Sequence, residues 1–369
     1  GLLLNGALIR RGGLDEALAL PAVSGLPGPD RAFARAVAMA ALRRLGEIDQ
    51  ILNHRLQKSP PEAVRTILRI ALAQTLVLET PAFAAVSTAV KLAERDPKTR
   101  PYKNLVNAVL RGIGREGPGL TTAESNLPDW LVARWRQTYG EAALAGLALA
   151  AREEPPTDLT VKPGVDAAAL AELVEGDVLP GGSVRTGRRG DVAGWPGFED
   201  GTWWVQDAAA AVPVRLLAPQ AGETALDMCA APGGKTMQLA AAGAVVTALD
   251  RSEARLKRLH RNLARVGLEA EVVARPAEDW LDSRTYDAVL LDAPCTATGT
   301  FRRNPEVGET QIIAFLRRNP AFRTVPADPA AVGAPVEALT PEGWLRILPS
   351  MWAERGGVDG FFVAKLERV

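Results

Sequence analysis

Apolar side chains recur every three or four positions through most of the first 115 residues, a spacing that places them on one face of a helix. The predicted helices cover residues 30–57, 61–79, 84–95 and 103–112. Asp30 stands where the N-cap of the first of them would lie. No strand-like alternation interrupts this pattern. We therefore predict an all-helical domain over residues 1–118.

A cluster of glycine and proline between Gly112 and Gly119 predicts a linker after this domain. Helical spacing returns over residues 128–153. Short strands and turns follow, such as the strand predicted over Leu159–Lys162, and Gly and Pro punctuate the chain as far as residue 201. These features predict linker helices and a small α+β subdomain over residues 119–212.

From residue 223 onward, short apolar segments alternate with helical ones. The predicted strands cover residues 224–228, 244–249, 270–274 and 286–291, and the predicted helices cover residues 235–242 and 252–266, with Ser252 as N-cap. Such alternation is typical of a parallel sheet covered by helices on both faces. The fold class predicted for residues 213–369 is therefore α/β, with ligands expected beyond the carboxyl ends of the strands.

Composition narrows the class of protein. Hydrophobic residues make up 47% of the 369 residues and charged residues 23%, which is typical of a soluble globular protein. No apolar stretch approaches the length of a membrane span, and no signal peptide is recognisable. Two cysteines and two histidines, far apart, argue against a disulfide framework and against a zinc site. We expect a cytoplasmic protein without a metal, acting as a monomer.

Charge is unevenly distributed although Lys+Arg and Asp+Glu are equal, at 43 each. Residues 1–115 contain 17 Lys/Arg and 9 Asp/Glu. This excess indicates either an anionic partner or a solvated helical surface rich in arginine, and charge by itself leaves these alternatives even.

A loop of small residues joins the first strand of the α/β domain to its helix, and it reads Cys229-Ala230-Ala231-Pro232-Gly233-Gly234-Lys235. Small residues let backbone N–H groups approach a ligand closely, and the helix N-terminus adds partial positive charge. The spacing fits neither a Walker A loop nor GxGxxG. Asp250 ends the second strand, where a carboxylate can accept hydrogen bonds from ribose hydroxyls. We predict a ligand with a carboxylate and a ribose; the alternative is a tight turn with a helix cap.

A second candidate segment follows the fourth strand. It begins with Asp292-Ala293-Pro294-Cys295 and continues to Arg302 and Arg303. The cysteine would place a thiol at the ligand edge of the sheet, although a lone cysteine is more often packed and inert. The two arginines could hold phosphates or stack on bases, or could form a solvated basic turn.

These motifs together resemble a known family. Asp227–Thr236 followed by Asp292–Cys295 resembles the S-adenosylmethionine-dependent RNA cytosine-C5 methyltransferases, in the same order and spacing. Asn104–Arg111 resembles the NusB-type RNA-binding domain, and the combination is similar to the RsmB (Sun/Fmu) branch, which methylates small-subunit 16S ribosomal RNA. Pro128–Leu131 and Asp359–Leu366 fit the same branch. The resemblance implies a Rossmann-like class I methyltransferase domain behind a NusB-like helical domain.

The resemblance also implies a role for each matching residue. Residues 229–235 would line the methionine and ribose of S-adenosylmethionine, and Asp250 would hold the ribose hydroxyls. Asp292 would lie near the amino end of the cofactor and the target base. Cys295 would assist release of the methylated product. Apart from the resemblance, the chemistry of the two guanidinium groups predicts that Arg302 and Arg303 contact RNA. The acid that follows the third strand in the family falls near Pro276, where Asp279 is a substitute.

In this family the attacking thiolate belongs to a second cysteine, in a Thr-Cys-Ser turn after the fifth strand, and it adds to C6 of the cytosine so that C5 can accept the methyl group. This chain contains only Cys229 and Cys295. Either the protein binds cofactor and RNA without catalysis, or a segment of roughly 30–45 residues, sized to one helix and one strand, is absent between Val307 and Gly308. We favour the second alternative, and it predicts a broken chain between these two residues and a missing fifth strand.

Three functions are therefore compatible with the sequence. The leading one is methylation of cytosine C5 in small-subunit ribosomal RNA. The second is cofactor and RNA binding without turnover. The third is methylation of a small molecule or a protein, against which the basic helical domain and the paired arginines argue.

Overall fold

The structure of the protein is a computed structural model that describes residues 3–4, 17–293 and 305–369, with the backbone alone for residues 305–311. The chain forms two compact units, Gly1–Glu153 (unit 1) and Glu154–Val369 (unit 2).

Unit 1 is helical throughout its described residues, as predicted. Its α-helices are α1 (Pro21–Ser24), α2 (Gly28–Arg43), α3 (Leu45–Arg55), α4 (Glu62–Leu76), α5 (Ala82–Arg95), α6 (Lys103–Glu116) and α7 (Asp129–Arg152). Short 3₁₀ turns cover Arg100–Tyr102 and Ala123–Asn126. The predicted linker begins later than expected, because α6 continues to Glu116 and ends at Gly117, whose φ is +81°.

The single helix predicted over residues 30–57 is wrong, because the structure divides it into α2 and α3 at Arg44. Asp30 is also not the N-cap: α2 begins two residues earlier and Pro27 occupies that position. Proline within the first helical turn, at residue 29, is pre-organised for a helix start, and Asp30 then lies in the first turn, where a negative charge is favourable.

The core of unit 1 is built around α4, whose side chains are buried along most of the helix. Ile48, Leu52, Leu68 and Leu72 are among its almost fully buried members. The same helix carries Arg69, which donates two hydrogen bonds of 2.8 Å to Asp49 on α3. Apolar burial and this ion pair together hold the two helices side by side.

Unit 2 begins with a small antiparallel sheet. Its strands are β1 (Thr157–Val161), β2 (Gly176–Val178), β3 (Val184–Thr186) and β4 (Trp203–Val205), in the order β2–β3–β1–β4. Helix α8 (Ala167–Leu173) is capped by Asp166 and packs on β2 and β3. Asp158 on β1 and Arg185 on β3 form a buried bidentate ion pair at 2.7 Å. This sheet contains the predicted strand near residue 159.

The second sheet is parallel and carries the candidate site. Its strands are β5 (Thr224–Met228), β6 (Val245–Asp250), β7 (Glu271–Ala274) and β8 (Ala288–Leu291), in the order β7–β6–β5–β8. The helices connected to it are α9 (Ala208–Leu217), α10 (Gly234–Ala241) and α11 (Glu253–Val266). The predicted α/β alternation is confirmed, and Ser252 is the N-cap of α11, as expected.

The C-terminal part of unit 2 differs from the expectation. Helix α12 (Pro305–Arg318) is followed by β9 (Phe322–Val325), β10 (Leu345–Ile347), β11 (Phe361–Val363) and β12 (Lys365–Arg368). The sequence predicts a final hairpin formed by residues 344–348 and 360–366, and it is present, since β10 pairs with β11. However, β12 pairs with β9 in a separate two-stranded ladder, and neither ladder joins the parallel sheet in the described residues.

The expected chain break between Val307 and Gly308 is wrong. Helix α12 runs without interruption from Pro305 to Arg318, through both residues. A proline at its first position is compatible with the free N–H groups of a helix start. No fifth parallel strand lies beside β8 in the described part of the chain, in agreement with the absence of such a strand from the sequence.

Candidate cofactor site at the carboxyl edge of the parallel sheet

The loop 229–235 leaves β5 at Met228 and enters α10 at Gly234. Cys229 has a φ of +66° and Gly233 a φ of +107°, so the backbone turns sharply at both ends of the loop. A Cβ at position 233 would lie 3.1 Å from Cγ of Leu259. The positive φ therefore favours glycine at position 233, and a side chain there would crowd Leu259. The first N–H groups of α10 have no acceptor within the helix.

Asp250 closes the edge at the end of β6. Its side chain is 3% exposed, and Oδ2 accepts a hydrogen bond of 3.1 Å from the N–H of Ala231, while Oδ1 accepts one of 2.9 Å from the N–H of Ser252. The structure thus brings Asp250 into direct contact with the loop 229–235. A carboxylate oxygen retains capacity for further donors, so both oxygens can also accept from hydroxyl groups of a ligand.

Helix α11 supports the loop from the other side. Arg255 donates to the carbonyl of Ala231 and lies 3.3 Å from Oδ2 of Asp250, and Asn262 donates a 2.9 Å hydrogen bond to the carbonyl of Pro232. The sequence analysis missed both residues. The signal that could have found them is their seven-residue separation, which places two polar side chains on one helix face beside the strand–helix turn.

Lys235 and Asp292 meet across the edge. The ammonium Nζ of Lys235 lies 2.8 Å from Oδ2 of Asp292, which follows β8, and 5.1 Å from the centroid of the Phe361 ring. Phe361 was not predicted as a site residue. This pair of opposite charges places one cationic donor and one carboxylate acceptor at the same point, next to a buried aromatic ring.

Two ionisable groups beneath the loop have shifted pKa values. Burial raises the pKa of Asp227 to about 6, even though its Oδ2 accepts a 2.6 Å hydrogen bond from the hydroxyl of Thr236. Burial also raises the pKa of the Cys229 thiol, and the carboxylates of Asp250 and Asp292 add to this shift. Cys229 is therefore held as a thiol at neutral pH, which makes it a poor nucleophile.

A carboxyl group outside the predicted set anchors Phe361. Asp207, the N-cap of α9, accepts hydrogen bonds from the N–H of Ala209 at 2.8 Å and from the N–H of Asp359 at 3.2 Å. Burial, together with the negative charges of Asp359 and Asp158, raises the pKa of Asp207. Asp207 thereby ties the segment before β11 to α9, two residues from Phe361.

The remaining predicted site residues are placed as follows. Cys295, Arg302 and Arg303 lie outside the described residues. Asp279 is exposed, and its N–H donates to the carbonyl of Pro276 at 3.2 Å. In the described ranges, no group of His, Cys, Asp and Glu is arranged to hold a metal ion. The helices described in both units are too short or too polar to cross a lipid bilayer.

Two family models and several known proteins are similar to this chain. The family model "16S rRNA methyltransferase RsmB/F" matches residues 214–319, and the NusB family model matches residues 7–115. Ribosomal RNA small subunit methyltransferase B of Shigella sonnei is 34% identical over 317 residues, which cover 79% of this chain and 71% of the relative. The protein of the same name from Vibrio cholerae is 30% identical, over 95% of this chain and 92% of the relative.

The chain belongs to the ribosomal RNA small subunit methyltransferase B family. The family resemblance inferred from the two motifs is thereby confirmed, as is the combination of a NusB-like helical domain with a methyltransferase domain. The loop 229–235, Asp250, Lys235 and Asp292 all fall within the span of the RsmB/F model.

Solved structures also support the fold assigned to this chain. The structure entitled "Crystal Structure of PH0851" superposes with a TM-score of 0.71 at 21% identity, over 100% of this chain and 97% of that chain. NSun6 from Pyrococcus horikoshii, solved with SFG, superposes with a TM-score of 0.53 at 16% identity, over 66% of this chain and 98% of that chain. At these identities the similarity concerns the fold.

One difference from the methyltransferase B relatives concerns length. The alignment with the Vibrio cholerae protein extends over 419 residues, more than the 369 residues of this whole chain, although it covers only 95% of them. That relative therefore carries internal residues that have no counterpart in this chain. Helix α12 has no break at Val307–Gly308, and the comparison with the relative does not give the position of the difference.

Proposed function

We propose that this protein binds S-adenosylmethionine at the carboxyl edge of β5, β6 and β8 and transfers its methyl group to C5 of a cytosine in small-subunit ribosomal RNA. The observation that carries the proposal is the convergence of the loop 229–235, Asp250 and the Lys235–Asp292 pair at one sheet edge. Membership of the methyltransferase B family supports the reaction class. An activity on ribosomal RNA is consistent with the cytoplasmic location predicted from the sequence.

The residues present fit S-adenosylmethionine. Asp250 is a buried carboxylate positioned to accept from two ribose hydroxyls. The N-terminus of α10, entered through Gly233 and Gly234, offers N–H groups and partial positive charge to a carboxylate. When bound, the cofactor would supply an electrophilic methyl group. The loop residues from Cys229 to Lys235 would line it, and the small side chains leave room for close approach.

Asp292 and Lys235 are suited to holding the target base. A carboxylate accepts a hydrogen bond from the exocyclic amine of cytosine, which is a pairing used in direct base recognition. The Lys235 ammonium lies 2.8 Å from Asp292 and can itself donate to an acceptor on the base. The base must be unpaired or extruded from a helix to reach this edge. Selection of cytosine over uracil would follow, because uracil presents a carbonyl where cytosine presents the amine.

The RNA partner is supported by the charge of unit 1. Residues 1–153 contain 20 Lys/Arg and 14 Asp/Glu, and residues 7–115 match the NusB family. Positive charge of this kind attracts phosphates without reading sequence. Arg302 and Arg303 are proposed to add contacts near the target, and the protein is proposed to act as a monomer.

Methyl transfer can be tested with RNA carrying tritium at C5 of cytosine. In the presence of S-adenosylmethionine, the proposal predicts release of tritium from small-subunit ribosomal RNA and appearance of 5-methylcytosine. RNA containing 5-fluorocytosine should form a covalent complex with the protein, visible as a slow band on a denaturing gel. Methylation of a protein or a small molecule without tritium release would contradict the proposal.

A second candidate function is cofactor and RNA binding without turnover. The observation that favours it is the cysteine count: Cys229 is held as a thiol, and Cys295 is the only other cysteine in the sequence. In that case S-adenosylmethionine and RNA would both bind, but neither tritium release nor a covalent complex would be detected. The same pair of assays therefore separates the two functions.

Cys295 remains the proposed product-release residue. In a protein that also carries the second, attacking cysteine of the family, Cys295→Ser should increase the amount of the covalent complex, because addition would continue while release fails. Binding of S-adenosylmethionine should be unchanged. Normal turnover by this variant would remove Cys295 from the reaction.

A further inference from the structure

Helix α11 has two sharply different faces. Leu256, Leu259, Leu263 and Val266 are buried against the parallel sheet. On the opposite side Lys257, Arg258 and Arg261, which we name the basic face, are all exposed. At 3.6 residues per turn, positions 257, 258 and 261 are neighbours on one side of the helix. The basic face therefore points directly away from the protein core.

Helix α11 is strongly basic, although unit 2 as a whole contains more acidic than basic residues. Residues 154–369 contain 23 Lys/Arg and 29 Asp/Glu, yet the stretch from Arg251 to Arg265 contains six basic residues and a single acidic one, Glu253. Arg255 and Arg265 are engaged, the former with Asp250 and Ala231, the latter with the carbonyls of Phe198 and Trp203.

The three residues of the basic face form no ion pair with any described carboxylate. Two other exposed arginines of unit 2 are paired, Arg284 with Glu271 and Arg323 with Glu367, whereas isolated ones such as Arg275 and Arg368 have no ion pair with a described carboxylate. The basic face differs from these in that three unpaired cations adjoin on one helix face. Like charges three and four residues apart destabilise a helix slightly, so the basic face lowers the stability of α11 rather than raising it. A negatively charged partner outside the chain would offset this repulsion.

The position of α11 identifies which partner this is. The helix contacts the loop 229–235 through Arg255 and Asn262, and these two residues flank the basic face in sequence. Arg258 follows Arg255 by three residues, and Arg261 immediately precedes Asn262, so one residue of the basic face lies within one helical turn, about 5.4 Å along the axis, of each contact. A substrate strand reaching the cofactor edge would therefore pass close to it.

We infer that the basic face of α11 binds phosphate groups of the RNA substrate beside the target nucleotide. The inference rests on the proposed function, because it takes RNA to be the substrate. Exposed lysine and arginine side chains neutralise phosphates without reading sequence, so this surface would position the strand rather than select it. It would also place RNA contacts in unit 2, in addition to those proposed for the helical unit 1.

The test is a triple variant, Lys257→Gln, Arg258→Gln and Arg261→Gln, titrated with fluorescently labelled small-subunit ribosomal RNA at several salt concentrations. Each lost phosphate contact lowers the slope of log K against log salt by about 0.7 for single strands. The inference predicts a slope smaller by about 2 in the variant, with weaker binding at low salt. Affinity for S-adenosylmethionine, measured on the same protein, should be unchanged.

A matched control removes the same charge elsewhere in unit 2, with Arg323→Gln, Arg355→Gln and Arg368→Gln at exposed positions. The inference expects this control to keep the slope of the original chain. Equal slopes for the original chain and the α11 variant would overturn the inference while leaving the proposed function intact. An equal loss of slope in both variants would also overturn it, by assigning the effect to overall charge. An original chain that binds no RNA would overturn the proposed function itself.

Discussion

Asp227 and Asp250 are buried carboxyl groups on the adjacent strands β5 and β6, and they differ in the groups that they contact. Asp227 is 1% exposed and contacts Thr236, so it supports the loop from beneath. Asp250 is as deeply buried, but it contacts the backbone of the loop and Arg255, which keeps its charge compensated. Asp227 is therefore a buried supporting group with a raised pKa, and Asp250 is the group that we propose binds the ligand.

The raised pKa of Asp227 makes stability depend on pH. In the unfolded chain this group loses its proton near pH 4, whereas in the folded protein it does so at about 6. Between these values the folded state binds more protons, so stability falls as pH rises, and the loss is complete above pH 6. We expect Asp227→Asn to raise the free energy of unfolding at pH 8 by about 1–3 kcal/mol, relative to the original chain.

The measurement is urea unfolding of both proteins at pH 4 and at pH 8. The difference between them should be present at pH 8 and become much smaller at pH 4, where Asp227 is protonated in the folded protein and about half protonated in the unfolded chain. A difference of the same size at both pH values would assign the effect of the substitution to packing rather than to charge.

At the scale of elements, close backbone approach constrains unit 1. Gly46, on α3, lies against the 3₁₀ turn Ala123–Asn126, and a Cβ there would lie 1.7 Å from the carbonyl oxygen of Ser125. The N–H of Glu47 donates a 3.0 Å hydrogen bond to Asn126 at the same contact. The turn and α3 can therefore pack only if residue 46 has no side chain.

We expect Gly46→Ala to lower the free energy of unfolding of unit 1 by about 1–3 kcal/mol, and with it the melting temperature, because the backbone must shift to admit the methyl group. Gly112→Ala is the matched control, since Gly112 lies within α6 with nothing within 4 Å of its added Cβ. Alanine there should stabilise the helix by about 0.5–1 kcal/mol. Two variants with the same melting temperature would contradict the close approach.

The small antiparallel sheet depends on one buried ion pair. Arg185 bonds Asp158 across β1 and β3 and also donates to the carbonyls of Arg355 and Gly357. Arg185→Ala would leave Asp158 buried without its counter-ion, at a cost of about 3–5 kcal/mol in unfolding free energy. Arg189→Ala, which removes an exposed pair with Glu154, should cost at most about 1 kcal/mol. Denaturant unfolding of both variants compares them, and equal losses would contradict this account.

Hydrophobic periodicity predicted most of the helices and strands, but not which strands pair with each other. The strand–helix alternation after residue 223 was predictable because buried parallel strands are short and continuously apolar. The split at Arg44 was not, since apolar spacing continues through it. Strand β9 was missed because its residues, Phe322–Val325, are only partly buried, and its pairing with β12 depends on contacts distant in sequence.

The candidate site was predictable to a similar degree. Backbone chemistry at strand ends led to the loop 229–235, Asp250 and Asp292, because parallel strands bring their carboxyl ends to one edge. Arg255, Phe361 and Asp207 could not be predicted in this way. Each reaches the site from a different element, and only the packing of α11, β11 and α9 brings them there.

For the whole molecule, the two units have separate cores and opposite charge. Unit 1 has six more basic than acidic residues and unit 2 six fewer. A chain shortened to residues 154–369 should therefore bind small-subunit ribosomal RNA more weakly and with a smaller dependence on salt. Circular dichroism would establish that the shortened chain is folded. Unchanged affinity and salt slope would show that the charge of unit 1 has no part in RNA binding.

The most direct test of the central claim is calorimetric titration of S-adenosylmethionine into the full chain and into Asp250→Ala. The account predicts one binding site, and an affinity weakened by about 5–150-fold in the variant, the equivalent of about 1–3 kcal/mol for hydrogen bonds to a charged group. Asp328→Ala is the control, because Asp328 also accepts two backbone hydrogen bonds but lies on an exposed turn. Binding by Asp250→Ala as tight as by the original chain, or no binding by the original chain, would contradict the account.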